Sequence, residues 1–553
     1  MIDFISYPVS YLVLGAIAIF LRPYFANTIG VLSIVSSMLC LLVVSDSQIL
    51  NYKIMSFDNV FYEISDLSFL FCVVFLIIGL FGKIFSFYRE NSNEKGYVLL
   101  YIASALGVVL SGDFLTLYVF WEAMAITSTF VIWSTRNQLS LDSGNRYIIL
   151  HLIGGLIFLI GLIGLYGQTY DLTIREISLN TWYSWFILIG LLLNAGAPPF
   201  SQWIPDAYPE GSYSSSVFLS AYTTKTSVYV LIVTFAGNSI LIYIGIYMIL
   251  YGIVYALLEN DIRRILSYSI VNQVGFMIVG IGIGTELAIN GTSAHAFSHI
   301  IYKGLLLMSA GSVLYVTGKR KCSDVGGLYK TMPITAACGI IGAFAISAFP
   351  FTSGFISKSM IVESSYIEGL EIIWYFLLIG SAGVFLHAGI KFPWFVFFHR
   401  DKKLEATDPP IFMTIPMVSL SFICIILGIF PNLLYTLLPY SVDYVPYTGN
   451  HVVSQLHLLL FSGLAFFMAL KYLERTLTIT LDIDYLYRRN YALLRLILSR
   501  IVSYLPSPRE IFRYTKIDKK LYLIENTLLN QSSISIMLSI ITVVIILVFL
   551  LNI

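Results

Sequence analysis

Apolar runs of roughly 17–25 residues recur along the chain, each long enough to carry a helix across about 30 Å of hydrocarbon. Lipid offers the backbone no water, so a spanning segment has to bond its own N–H and C=O groups and becomes a helix. The runs lie at 4–21, 27–45, 64–82, 97–111, 114–133, 147–168, 183–201, 214–236, 238–257, 265–284, 290–316, 334–357, 370–392, 411–438, 454–472 and 532–551. They predict an all-α polytopic membrane protein with about sixteen transmembrane helices. Charge content agrees: 11% of the 553 residues are charged, against about 25% in soluble domains. The N-terminus shows no basic n-region and no small-residue cleavage site, so run 4–21 reads as the first spanning helix.

Several classes of function are excluded early. A net charge of +1 offers no field for nucleic acid. The five cysteines, Cys40, Cys72, Cys322, Cys338 and Cys424, form no CxxC pair, so zinc and iron–sulfur ligation lack their spacing. No GxGxxG follows a strand. No cofactor and no metal are expected, and the chain reads as a transport subunit rather than an enzyme.

With the N-terminus outside, the short cytoplasmic loops, including 83–96 and 319–330, collect fifteen Lys and Arg, among them Arg22, Lys83, Lys95, Arg146, Arg263, Lys321 and Lys403. The opposite loops, 46–63 among them, collect only Lys53 and Arg175. This is the positive-inside asymmetry of a multi-pass protein of the cell (inner) membrane. Two spans are interrupted: the seventh by Asn194-Ala195-Gly196-Ala197-Pro198-Pro199, the twelfth by Pro350-Phe351-Thr352-Ser353-Gly354. Proline removes an amide donor and opens the backbone, tolerated at membrane depth only where protein or a wet cavity satisfies the freed groups. Matching breaks point to two inverted five-helix repeats, 97–236 and 237–398, with an ion path between them. Helices in 1–96 precede the repeats and helices in 399–472 follow. Segment 473–531 is basic and interfacial, and 532–553 holds the last helix.

The chemistry resides in charges inside apolar runs, where an ionised group costs several kcal/mol and needs a partner, water or protonation. Glu122 stands mid-way in the fifth span and Lys225 in the eighth. His295, His299 and Lys303 recur at i, i+4 and i+8, hence on one helix face, a candidate proton wire. Lys358 follows the second break. His387 and Lys391 sit nearer the cytoplasmic end, where snorkelling competes as an explanation.

These residues lie in recognisable surroundings. Gly112-Asp113-Phe114 through Trp121-Glu122, Pro198 through Ala207, Asp261 through Ser269, the His295/His299/Lys303 array and Ser353 through Lys358 resemble motifs of antiporter-like subunits. The family comprises subunits of respiratory complex I and of multisubunit Mrp-type Na+/H+ antiporters, and the resemblance is nearest to its D-type members through Lys391 to Phe398 and Tyr444 to Val452. It implies that Glu122 is the essential glutamate, His299 and Lys303 the central relay and Lys358 the terminal lysine. Nine residues before Trp203, where most relatives have the lysine that pairs with the glutamate, this chain has Asn194. The pairing is therefore expected to move to Glu122–Lys225. The implied function is that of a D-type monovalent cation/H+ antiporter component working with other membrane subunits on protons and Na+ or K+. Alternatives are a proton-pumping subunit of an NADH:quinone oxidoreductase-type complex, a non-transporting scaffold, or an inorganic-carbon uptake component.

Overall fold

The computed structural model describes residues 7–43, 50–54, 57–473, 482 and 485. The expected final span 532–551 lies outside these residues, as does the basic segment 473–531 apart from residues 473, 482 and 485. In chain order the helices are α1 Pro8–Leu21, α2 Ala26–Val43, α3 Asp66–Phe85, α4 Ser92–Leu110, α5 Phe114–Trp133, α6 Gln138–Thr169, α7 Trp182–Ala195, α8 Trp203–Ala207, α9 Ser215–Ala221, α10 Thr223–Phe235, α11 Ile240–Leu258, α12 Ile262–Ile283 and α13 Glu286–Thr317. They continue with α14 Pro333–Ile346, α15 Ser353–Ile367, α16 Glu371–Val384, α17 Ile411–Ile429, α18 Asn432–Tyr435, α19 Gly449–Met468 and α20 Leu470–Leu473. Among the described residues eleven helices are long and apolar enough to cross a membrane, and Pro8–Leu21, Trp182–Ala195 and Pro333–Ile346 are shorter apolar helices.

Side chains written into the loops start several of these helices. Ser65 caps α3 in a reciprocal box with Ser68, Asp113 accepts from Thr116 N at 2.7 Å, Asn137 from Ser140 N at 2.7 Å and Asp261 from Arg263 N at 3.0 Å.

Five details differ from the sequence expectation. The fold is not purely helical: β1 Leu50–Ile54 pairs antiparallel with β2 Phe57–Tyr62. Gly112 lies so close to β2 that an added Cβ would meet Val60 Cγ1 at 2.3 Å. Lys83, expected in a loop, lies in the last turn of α3, fully buried across Gly30. The run 214–236 is interrupted at Tyr222, between α9 and α10. The second half of the twelfth span reaches Ile367, and α16 passes into π-helical turns at Phe385–Lys391 and Trp394–Phe398.

Three consecutive helices recur at one offset. The starts of α4, α5 and α6, residues 92, 114 and 138, return 148 residues later at 240, 262 and 286, the starts of α11, α12 and α13. The hydrogen bonds recur with them. Phe114 N donates to Leu172 O at 2.8 Å and Ile262 N to Arg320 O at 2.9 Å; Ile174 N donates to Gly112 O at 3.3 Å and Cys322 N to Asn260 O at 2.9 Å.

Ion pairs tie the first break to its neighbours. Arg146 binds Asp206 through Nε at 2.7 Å and Nη2 at 2.9 Å, while Arg320 joins Glu210 at 2.8 Å and also Asp261. Arg263 Nη1 donates to Gly211 O and Ser212 O at 2.9 and 3.0 Å. Asp206 therefore anchors the broken stretch, which accounts for the carboxylate in the Trp203–Ala207 motif. Removing one member of a buried pair strands the other. Arg146→Met is expected to destabilise the protein by about 3–5 kcal/mol, and Arg146→Met with Asp206→Leu by less. Urea unfolding in detergent checks both values.

Candidate functional site

The buried charges lie on helices that meet inside the bundle. On α5 the Glu122 carboxylate is buried, and Oε1 occupies the space beside Gly155 of α6, where an added Cβ would lie 1.8 Å away. Neither Glu122 oxygen accepts a hydrogen bond of normal geometry, and its polar neighbour is the hydroxyl of Tyr118, one turn earlier on the same helix.

Asn194 comes at the end of α7. Gly196, at φ 78°, closes that helix, with Gly196 N on Leu193 O at 3.0 Å and Ala197 N on Leu192 O at 2.9 Å. The indole of Trp203 also donates to Leu193 O, at 3.0 Å, which explains a tryptophan at that spacing. The Asn194 amide is buried with neither atom bonded.

The lysines are held by backbone carbonyls. Lys225 Nζ donates to Ser220 O at 2.7 Å and Thr224 Oγ1 at 3.1 Å. Ser220 lies in the last turn of α9, so the ammonium caps the helix end that the break at Tyr222 leaves open. Lys358 repeats the arrangement at the second break, donating to Ile346 O, the last residue of α14, at 2.9 Å and lying 5.0 Å from the centre of the Phe276 ring. Lys391 donates to Ala256 O, Leu257 O and Glu259 O at 3.0, 2.7 and 2.6 Å, clamping the end of α11. Lys303 donates to Leu266 O at 3.2 Å and Ser269 Oγ at 2.9 Å. A cation at a helix C-terminus meets free carbonyls and the negative end of the dipole.

Two expectations change. Glu122 and Lys225 form no ion pair in this conformation, because the lysine turns toward Ser220 and Thr224 instead. Snorkelling does not apply to Lys391, which is fully buried.

The α13 trio is assembled as expected on one face. His295 contacts Ser357 Oγ through Nδ1 at 3.3 Å and Gln273 Oε1 through Nε2 at 3.1 Å, and Tyr302 donates to the same Gln273 oxygen at 3.1 Å. His299 is fully buried with neither nitrogen bonded, within electrostatic range of Lys225 and Lys303. His387 puts Nδ1 2.8 Å from Gly383 O.

Sequence reading missed His151 and the hydroxyls around it. His151 is buried in α6 and stacked on Tyr147 at 3.9 Å. Tyr147 OH lies 2.9 Å from Ser128 Oγ and 3.4 Å from Thr223 Oγ1, which itself lies 2.6 Å from Tyr101 OH. The available signal was a histidine inside the apolar run 147–168.

Residues 111–386 match the family described as NADH:quinone oxidoreductase/Mrp antiporter, TM. The chain belongs to the NADH:quinone oxidoreductase/Mrp antiporter superfamily. It is an integral multi-pass membrane protein. The A-type component of the Na(+)/H(+) antiporter of Alkalihalophilus pseudofirmus is 30% identical over 68% of this chain and 53% of its own length. A probable K(+)/H(+) antiporter component of A/B type from Rhizobium meliloti is 28% identical over 66% of this chain and 39% of its own. The D-type component of the Na(+)/H(+) antiporter of Alkalihalophilus pseudofirmus is 28% identical over 54% of this chain and 65% of its own. The chain thus spans about half or less of the A-type relatives, and the likeness expected to the D-type extends to the A-type.

The fold is shared with a chain of the membrane-bound sulfane sulfur reductase, an archaeal respiratory membrane complex. That chain superimposes with a TM-score of 0.73 at 24% identity, covering 99% of each chain. A chain of the Mrp complex from Dietzia sp. gives 0.71 at 19% identity, over 84% of this chain and 98% of its own. Respiratory complex I from Thermus thermophilus supplies a third, at 0.68 and 18%, over 77% and 98%.

The Glu122–Gly155 contact leads to a test. Gly155→Ala overpacks the carboxylate and is expected to destabilise the protein by about 1–3 kcal/mol. In a Glu122→Ala background the obstruction is gone, and Gly155→Ala is expected to be close to neutral. Thermal melts of the four proteins decide it.

Proposed function

We propose that this chain is a proton-translocating, antiporter-like membrane subunit that moves protons along Glu122, Lys225, His295, His299, Lys303 and Lys358 in exchange for Na+ or K+. The observation that carries the reading is how the buried cations are held. Lys225, Lys303 and Lys358 each donate to a backbone carbonyl rather than to a carboxylate. A carbonyl accepts a hydrogen bond from an ammonium or from a neutral amine, so no counter-ion locks the proton in place. The unbonded imidazole of His299 lies within electrostatic range of all three lysines.

The architecture proposed with this function has sixteen spans, an external N-terminus, the cell inner membrane as its site, and two inverted five-helix repeats. The 148-residue recurrence supports the repeats. Inversion is supported by the contacts: the Asp261–Lys321 bridge joins Glu210 through Arg320, near the Arg146–Asp206 pair at the start of α6, whereas its counterpart Asp113–Thr173 lies at the other end of α6. Thirty-two residues of helix, about 48 Å, separate those ends.

Other membrane subunits are the proposed partners, because the similar antiporter proteins are themselves subunits. The shared fold with respiratory complex I favours one alternative, a pump subunit driven by redox chemistry elsewhere in an NADH:quinone oxidoreductase-type assembly. Affinity purification with mass spectrometry separates the two: small antiporter subunits support exchange, and quinone-module subunits support the pump.

His299→Ala and Lys303→Ala are each expected to lower proton flux in vesicles by about a hundredfold, as loss of a general acid–base step does, with insertion unchanged. Wild-type flux in both would remove the path. A cysteine placed at Lys321 is expected to react with an impermeant reagent from the cytoplasmic side. Preferential labelling from outside would invert the topology.

A further inference from the structure

The recurrence aligns α6 with α13 residue by residue. Both helices are 32 residues long, and His151 and His299 each lie thirteen residues after the first residue, 138 and 286. At the 148-residue offset the face Tyr147, His151, Gly155 corresponds to His295, His299, Lys303. Where α13 carries an ammonium one turn beyond its histidine, α6 carries no side chain at all, and the Glu122 carboxylate from α5 fills that space. Each repeat thus sets a titratable group one helical turn from a buried histidine, basic in the second and acidic in the first.

His151 has one nitrogen committed and one free. Nδ1 lies 3.0 Å from Tyr147 O. A carbonyl only accepts, so Nδ1 carries the hydrogen in the neutral ring and Nε2 carries the lone pair. Nε2 is buried without a partner, whereas buried polar groups ordinarily find one. The ring is fixed by the stack on Tyr147 and by the edge of Trp203, 4.6 Å away. Toward the start of α6 lies the hydroxyl cluster of Tyr147, Ser128, Thr223 and Tyr101; toward its end lies Glu122. The lysine that the motif resemblance leads one to expect is replaced by a residue that does not titrate. Asn194 stands in that position, buried with an unbonded side chain.

We infer that His151 is a proton-relay residue of the first repeat, passing protons between the hydroxyl cluster and Glu122 in place of the lysine that position 194 lacks. The step rests on reading the buried axis as a proton path. Nε2 takes up a proton handed along the hydroxyl cluster, in which each hydroxyl gives one proton and receives another and so stays neutral, while Nδ1–H stays on Tyr147 O; the imidazolium then gives a proton to the Glu122 carboxylate, leaving neutral imidazole and a carboxylic acid.

The test uses the full chain with its native membrane partners, reconstituted in liposomes with an internal pH dye. His151→Gln keeps a polar side chain of similar reach but cannot carry a proton. It is expected to lower flux by about tenfold or more, with the melting midpoint unchanged. Adding Asn194→Lys returns a titratable group at the position where the motif resemblance implies a partner of Glu122, and is expected to restore a substantial part of the flux, which repair of a packing defect would not do. Flux retained in His151→Gln while Lys303→Ala abolishes it overturns the relay and leaves the path intact. A loss that Asn194→Lys does not restore also overturns it and makes His151 structural. Wild-type flux of zero, or no effect of Lys303→Ala, removes the path itself and the role of His151 with it.

Discussion

The site depends on how an apolar bundle accommodates cations. An ammonium removed from water needs acceptors, and a helix that stops inside the bundle leaves carbonyls without donors. Each liability relieves the other. Lys225 closes the end of α9, Lys358 the end of α14 and Lys391 the end of α11. The breaks after Ser220 and Ile346 are therefore the places where a buried lysine can be solvated by the protein itself, without a fixed negative charge. A carboxylate partner would bind more strongly but would make each proton costlier to remove.

The same helical frame carries different chemistry in its two occurrences. α6 and α13 share length, position in the recurrence and a buried histidine at the same place. They diverge one turn later, where Lys303 fills its own space and Gly155 concedes that space to Glu122 from a neighbouring helix. Position 270, the counterpart of Glu122, is an isoleucine. The two occurrences thus set their ionisable group on different helices, an acid on α5 and a base on α13, at helix starts that keep the same 148-residue offset. The ion pairs around Asp206 and Glu210 hold that backbone at the first break.

Much of the site was legible because burying charge in lipid is expensive enough to leave a mark in sequence. Glu122, Lys225 and Lys303 are conspicuous as charges in apolar runs, Lys358 as a lysine directly after the second break, and the three-residue face of α13 follows from helical spacing alone. His151 has no such mark, since a lone histidine in an apolar run is an ordinary core residue. Its significance comes from the unbonded Nε2 and from its equivalence to His299. The expected Glu122–Lys225 pair is not formed in this conformation for a related reason. Adjacent charged helices suggest attraction, but the interruption at Tyr222 offers Lys225 a nearer acceptor that no sequence pattern announces.

Hydropathy and proline placement by themselves determined a multi-span helical protein, the two conspicuous breaks and most of its buried charges, because the cost of exposing backbone or charge to lipid acts on each segment separately. What each charge touches was decided by the tertiary structure. Whether Lys391 snorkels or clamps α11, whether Lys83 lies in a loop or across Gly30, and which group occupies the space beside Gly155 all depend on distances between helices remote in sequence. Those distances are set by packing, to which small residues such as Gly155 and Gly30 contribute only through the neighbour that fills the space they leave.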